Sequence, residues 1–135
     1  MASRLNSYSD GMGGTLLDSS LLAWGQENGD LVHETISMPV ITAGSAGGAI
    51  QTGSYCDYRN LAISTTRGRS VTMHPGLIYN QWLTTALVAM GSPPADWVET
   101  SHPGFGARMV YSTGEFTNVY TDAMWQKTAD KLPWL

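Results

Sequence analysis

The clearest periodicity in the chain runs from Gly76 to Met90. Leu77, Ile78, Trp82, Leu83, Ala86, Leu87 and Met90 recur at helical spacing, which predicts a helix with a wide apolar stripe. Pro75 suits the first turn of that helix, Gly91 its C-terminal stop, and Pro93-Pro94 prevents continuation. Two short apolar runs bounded by polar residues, Ser20 to Trp24 and Met38 to Ala43, predict buried strands. Pro39 is tolerated at the start of the second run, because the first position of a strand can lack a ladder donor. Weaker patterns predict the last turns of a helix over residues 2 to 9, one helical turn over Pro94 to Val98, and a short helix around Asp122 to Asp130. Residues 54 to 75 read as irregular or weakly extended, with Tyr55 and Tyr58 flanking Cys56.

Glycine marks the breaks between these segments. Gly11, Gly13 and Gly14 follow Asp10 and favour a turn. Gly25 to Asp30 reads as a polar loop after the first strand. Gly44, Gly47, Gly48 and Gly53 predict a turn and a hairpin through Ala49-Ile50-Gln51. Their spacing superficially suggests a phosphate-binding loop, but no Lys-Ser/Thr ending follows and no clear helix, so close backbone approach is the better reading. The chain has no internal repeat and no linker that would divide two domains. One domain over residues 1 to 135 is expected, with its core in residues 15 to 91 and an irregular Gly/Pro-rich extension over 92 to 135.

Composition narrows the function classes. At 135 residues the length suits one domain with a real core. Charged residues make up 13% of the chain, against a usual share of about 25%, and Ser, Thr, Asn and Gly fill the gap. That balance leans towards an exported bacterial protein. The net charge of −4 and pI near 5.1 argue against a nucleic-acid surface, which needs clustered Lys and Arg. Cys56 is the single cysteine, so no internal disulfide can form. No base accompanies it locally, and it reads as a packed small hydrophobe. No stretch approaches the roughly 18 apolar residues of a membrane span, and the first ten residues lack an apolar signal core.

Candidate chemistry gathers between the two predicted strands. Gln26, Glu27, Asp30 and His33 lie near strand ends, a loop could bring Glu27, Asp30 and His33 together, and carboxylate plus imidazole serves either as a metal-ligand set or as a general acid–base set. Capping or surface roles for Glu27 and Asp30, and a satisfied structural role for His33, compete with those readings. His74, before Pro75, reads as a neighbour of the helix start, and His102, in Ser101-His102-Pro103-Gly104, as a loop residue. No Gly-x-Ser-x-Gly elbow, Cys-x-x-Cys or His-Glu-x-x-His is present, so a serine hydrolase, a zinc finger and a zincin have no support.

The order of parts carries a resemblance. Thr15 to Gly25, then His33, then Met38 to Gly44, then Gly53-Ser54-Tyr55 and the helix ending Ala89-Met90-Gly91 resemble the C-terminal part of a bacterial exported family. That family is number 1552 of the domains of unknown function, related to the alkaline-phosphatase-like superfamily. The resemblance runs over most of residues 10 to 106. It implies an α/β fold, the C-terminal portion of a doubly wound sheet that is incomplete on its own. It further implies an exported, metal-dependent hydrolase of phosphate or sulfate esters, or a degenerate relative, with zinc, magnesium, calcium or manganese bound. His33 and Pro39 match the superfamily's His-x5-Pro spacing, which makes His33 the ligand-type histidine. The superfamily's Asp-His pair is not matched. Gln26-Glu27-Asn28 stands there instead, leaving Glu27 as a stand-in carboxylate and Asp30 and Gln26 as accessory groups. The nucleophile and the first Asp ligand would lie upstream, in the rest of the parent chain, which is then a partner. An isolated half-sheet leaves a strand edge open, so self-association is expected. The alternative is a non-catalytic cell-surface binding or structural module on the same fold. The aromatic segments Tyr55 to Tyr58 and Tyr111 to Trp125 motivate it.

Overall fold

A computed structural model of the chain describes residues 1–26, 37–67, 71–98, 102–108, 120–133 and 135. The architecture is mixed helix and strand. A single helical turn, α1 (Ala2–Leu5), precedes strands β1 (Leu22–Gly25), β2 (Val40–Ala43), β3 (Thr65–Arg67) and β4 (Val71–Met73). The main helix α2 (Tyr79–Ala89) follows, then a 3-10 turn at Pro94–Asp96, the short helix α3 (Asp122–Gln126), and a second 3-10 turn at Lys127–Ala129. The strands form two antiparallel two-stranded sheets, β1 with β2 and β3 with β4. The class is therefore α/β in the broad sense. Neither sheet has the parallel order of a doubly wound fold.

The two strands flanking the candidate loop fall where the apolar runs place them, each starting two residues later, with β1 running one residue further to Gly25 and β2 ending at Ala43. Their register sets Leu22 opposite Ala43, Trp24 opposite Ile41, and Gly25 opposite Val40. Val40 turns toward the core, while Trp24 and Ile41 remain 55% and 64% exposed. The predicted burial of these strands is thus only half realised, because one ribbon of two strands has one packed face.

The glycine segment after β2 forms turns, and the predicted hairpin through Ala49-Ile50-Gln51 is absent: no strand forms there. The segment instead folds back onto the preceding loop. The amides of Ala46 and Gly47 donate to the carbonyls of Ser20 (2.9 Å) and Asp18 (2.8 Å), and the Ser45 hydroxyl donates to Asp18 O (2.8 Å). Gly44 permits this approach. At φ +88° a side chain is strained, and a Cβ would lie 2.3 Å from Ser20 O. Ile50 is carried from that turn into the core.

Among the described residues of the 54–75 segment, which the pattern leaves irregular or weakly extended, two short strands form. Three-residue strands β3 and β4 pair there, Thr65 opposite Met73 and Thr66 opposite Thr72. Threonine suits a pleated surface, but strands this short carry too little alternation to be read from sequence.

Helix α2 starts later than predicted. Ile78 is its N-cap, and Pro75 lies outside the helix, buried, with its carbonyl accepting from the Asn60 amide (3.2 Å). Gly76 forms an antiparallel bridge with Arg59, and the Leu77 amide donates to Tyr58 O (3.2 Å). The segment that was to open the helix is used instead to pin the extended 58–60 segment.

The burial of α2 also departs from the apolar stripe. Trp82 is buried, but so are the polar residues Gln81, Thr84 and Thr85, while Met90 is exposed. The C-terminal extension explains this. Thr84 Oγ1 accepts from the Phe105 amide (3.0 Å), Asn80 Nδ2 donates to Phe105 O (2.6 Å), and Thr85 Oγ1 accepts from the Leu132 amide (2.9 Å). Side chains of α2 thereby satisfy backbone groups of two loops that have no ladder of their own, which a buried backbone requires. On the neighbouring face Leu77, Tyr79, Leu83, Ala86 and Ala89 pack, with Leu21, Val40 and Tyr58, against the core cluster of Ile50, Trp82 and Leu132. The extension is therefore part of the core. Its short helix lies where predicted, with Thr121 as N-cap accepting from the Met124 amide (3.3 Å).

Candidate functional site

Of the four residues proposed from the sequence, only Gln26 lies within the described residues. Glu27, Asp30 and His33 fall outside them, between Gln26 and Ser37 in the chain. Gln26 is exposed and directly follows β1, whose last residue pairs with Val40 of β2. The two chain ends of the candidate loop therefore leave from adjacent strands of one ribbon. That corner also borders α2: a Cβ at Gly25 would lie 3.6 Å from Pro39 O and 3.7 Å from the Tyr79 hydroxyl. Among the described residues no three of His, Cys, Asp and Glu gather into a metal-binding group.

Sequence reading missed Ser37. It is a non-glycine residue at φ 60°, in the left-handed region. Its Oγ is buried with no hydrogen-bond partner. Each feature costs free energy, of order 1–3 kcal/mol for such a backbone and about 1–3 kcal/mol for an unmade buried hydrogen bond. Residues that carry both cluster at functional sites. A serine two positions before a proline gives no such signal in sequence.

The two histidines outside this corner take part in hydrogen bonds elsewhere in the fold. His74 donates from Nδ1 to the Ile63 carbonyl (2.9 Å). His102 is in a loop, as read from Ser101-His102-Pro103-Gly104, but it is only 4% exposed. Its partners fix the tautomer. The Gly104 amide donates to Nδ1 (3.1 Å), so the proton sits on Nε2 and is donated to Gly106 O. The Thr128 hydroxyl lies 3.0 Å from Nδ1 and itself donates to Trp125 O (2.6 Å). With both ring nitrogens engaged, His102 is a structural tie between the 102–106 loop and the tail.

A second surface feature lies at Ser54 to Tyr58, which line an open cleft of about 350 Å³. Tyr55 is 90% exposed there. Cys56 is half-buried and free, so it does not behave as a fully packed hydrophobe. Burial pushes the Tyr58 hydroxyl well above the usual phenol range, and a hydrogen bond with Cys56 adds to the shift. Tyr58 Oη also donates to Pro133 O (2.7 Å), which ties the cleft to the C-terminus. Next to it, the Arg59 guanidinium grips Asp57 through Nε and Nη2 and holds its carboxyl at about 2.

Near the N-terminus, Asp10 accepts from the amides of Met12 (2.7 Å) and Gly14 (3.0 Å) and from the Ser19 hydroxyl (2.9 Å). These bonds, the Met12 amide foremost, lower its pKa. They make the 10–14 segment a side-chain-stabilised turn and leave the carboxylate committed to it.

No family model, curated protein or solved structure matches this chain. Among the described residues no helix is long and apolar enough to cross a membrane.

Proposed function

We propose that this chain carries one wall of the metal site of an exported alkaline-phosphatase-like hydrolase of phosphate or sulfate esters. In this reading Glu27 and His33 are metal ligands, and Asp30 and Gln26 are accessory groups. The observation that carries it is Ser37, a strained residue with a buried, unpartnered hydroxyl, four positions after His33. Carboxylate, imidazole and hydroxyl oxygen together suit a hard or borderline divalent cation: zinc, magnesium, calcium or manganese. A metal pair in such a site stabilises charge on the attacking and leaving oxygens. The residues of this chain hold and orient one cation. The nucleophile and the first Asp ligand belong to the rest of the parent protein. The β1–β2 ribbon is then an antiparallel edge on a larger doubly wound sheet, an arrangement common in large mixed sheets.

Ester hydrolysis by the full parent protein tests this reading. Phosphate and sulfate monoesters should both be offered, with and without chelator. Activity abolished by chelator and by His33→Ala supports the proposal. Activity that survives both, or an inactive protein that binds no metal, overturns it.

A second reading, a non-catalytic surface-binding module, is favoured by the open Ser54–Tyr58 cleft with Tyr55 presented at its rim. An exposed aromatic beside polar groups suits stacking on a sugar or peptide ligand. Glycan-array binding that persists in chelator and is lost in Tyr55→Ala supports this reading over the first.

A further inference from the structure

Residues Tyr55 to Arg59 have the alternation of a β-strand but a ladder only at their C-terminal end. Tyr55, Asp57 and Arg59 are exposed, while Cys56 and Tyr58 between them are half-buried. The Asp57–Arg59 ion pair, two residues apart, lies on one face, as the period of a strand requires. No turn or bend interrupts Ser54 to Tyr58. At the end of this run the Leu77 amide donates to Tyr58 O and the Asn60 amide to Pro75 O, with Arg59 and Gly76 bridged between the two bonds. That antiparallel pattern turns the backbone groups of Tyr58 and Asn60 toward residues 75–77, and those of Arg59 away from them. Continued back along the segment, it turns the N–H and C=O of Tyr55 and Asp57 to the opposite edge. The Arg59 amide on that edge is capped by the Asp57 carboxylate (3.0 Å). Among the described residues, the amides of Ser54 to Tyr58 donate to no acceptor and the carbonyls of Ser54 to Asp57 accept from no donor.

We propose that this edge binds an extended peptide of a partner protein, which adds a strand beside Ser54 to Asp57 in the open cleft those residues help to line. Tyr55 and Asp57 each offer one donor and one acceptor to it. The exposed Tyr55 ring supplies a cross-strand contact for an aromatic or β-branched residue of the peptide. The backbone decides between the two ligand classes. Donor and acceptor recur together every second residue along this edge, and a peptide strand repeats the complementary pair at that spacing, whereas a sugar does not. The net charge of −4 disfavours a second copy of this chain as the occupant and favours a peptide of neutral or positive charge. The inference rests on the surface-binding reading of the cleft and narrows its ligand to a peptide. It does not depend on the metal reading.

Short linear peptides displayed on phage are selected against the full chain, and the best binder is synthesised and measured by fluorescence anisotropy. Tyr55→Pro removes one amide from the free edge and keeps an extended backbone. It should bind the peptide about tenfold more weakly than wild type does. N-methylation of the peptide, one residue at a time, leaves the protein untouched and so decides even if Tyr55→Pro folds poorly. It should cost about tenfold at alternate residues and little between them, because every second amide of an added strand faces the edge. A peptide that binds Tyr55→Pro as tightly as wild type, or that tolerates N-methylation at every position, overturns the proposal. A glycan bound through Tyr55, with no peptide selected, leaves the surface-binding reading standing and removes this one. Failure to bind either removes both.

Discussion

Gly76→Ala should be among the most damaging single-methyl changes in this protein. Gly76 faces the 58–60 segment so closely that a Cβ would lie 1.8 Å from Tyr58 O, 2.6 Å from Tyr58 C and 2.7 Å from Arg59 Cα. All three atoms are backbone, so no side-chain rotation relieves the clash. The segment must move away. Doing so breaks the Leu77 N to Tyr58 O and Asn60 N to Pro75 O bonds, each 3.2 Å, at about 1 kcal/mol apiece. Moving Tyr58 also pulls its hydroxyl from Pro133 O and its ring from the core cluster, which adds about 1–2 kcal/mol. The sum is roughly 3–4 kcal/mol, a large share of the about 5–15 kcal/mol that holds a domain folded. Gly53→Ala is the matched control. Its φ is +89°, but nothing lies within 4 Å of the added Cβ, so only backbone strain of about 1–2 kcal/mol applies. Urea unfolding followed by circular dichroism measures both. A Gly76→Ala midpoint no lower than that of Gly53→Ala would refute the packing argument.

Other expectations follow from the same contacts. Thr85→Val removes the hydroxyl that accepts from Leu132 N. It should cost about 1–3 kcal/mol, the penalty for a buried donor left unmet, and limited proteolysis should then cut the tail first. Asp57 titrates near 2 because Arg59 binds the charged form. Its folded pKa is below the unfolded value of 3.8, so its stabilising contribution is present above that value and is lost as pH falls from 3.8 through about 2. Carboxyl NMR titration should show this midpoint, and Arg59→Gln should bring it back toward 3.8. An unchanged midpoint would show that the ion pair is not its cause. The exposed Trp24–Ile41 pair sits on a ribbon whose strands, among the described residues, each pair on one side only, so the chain on its own should associate as concentration rises. Ile41→Lys should raise the monomer fraction in light scattering, and a monodisperse wild-type monomer would contradict this.

Local patterns were legible where a segment folds on its own signals. The spacing of Trp82, Leu83 and Ala86 marks α2, and the apolar runs mark β1 and β2. Thr121 and the residues after it mark the tail helix. What sequence could not convey are contacts between distant segments. Nothing in Gln81, Thr84 or Thr85 announces burial, because their partners at Phe105, Lys131 and Leu132 come from a tail 21 to 50 residues away. His102 reads as a loop residue until Thr128 and Gly106 close around it. The Pro75-Gly76 pair has the chemistry of a helix start, yet the approach of Tyr58 takes it for a bridge. At the candidate site, the residue types of Glu27, Asp30 and His33 carry the suggestion of chemistry. The strain at Ser37 is a backbone property, visible only in three dimensions.

The central claim, that the connection between β1 and β2 is a metal site, is tested most directly by counting bound divalent metal per chain in the full parent protein, wild type against His33→Ala. Bound metal is expected in the wild type, with a clear loss in His33→Ala and a similar loss in Glu27→Gln. Equal metal content in wild type and His33→Ala, or none in either after dialysis against each of the four cations, would contradict it.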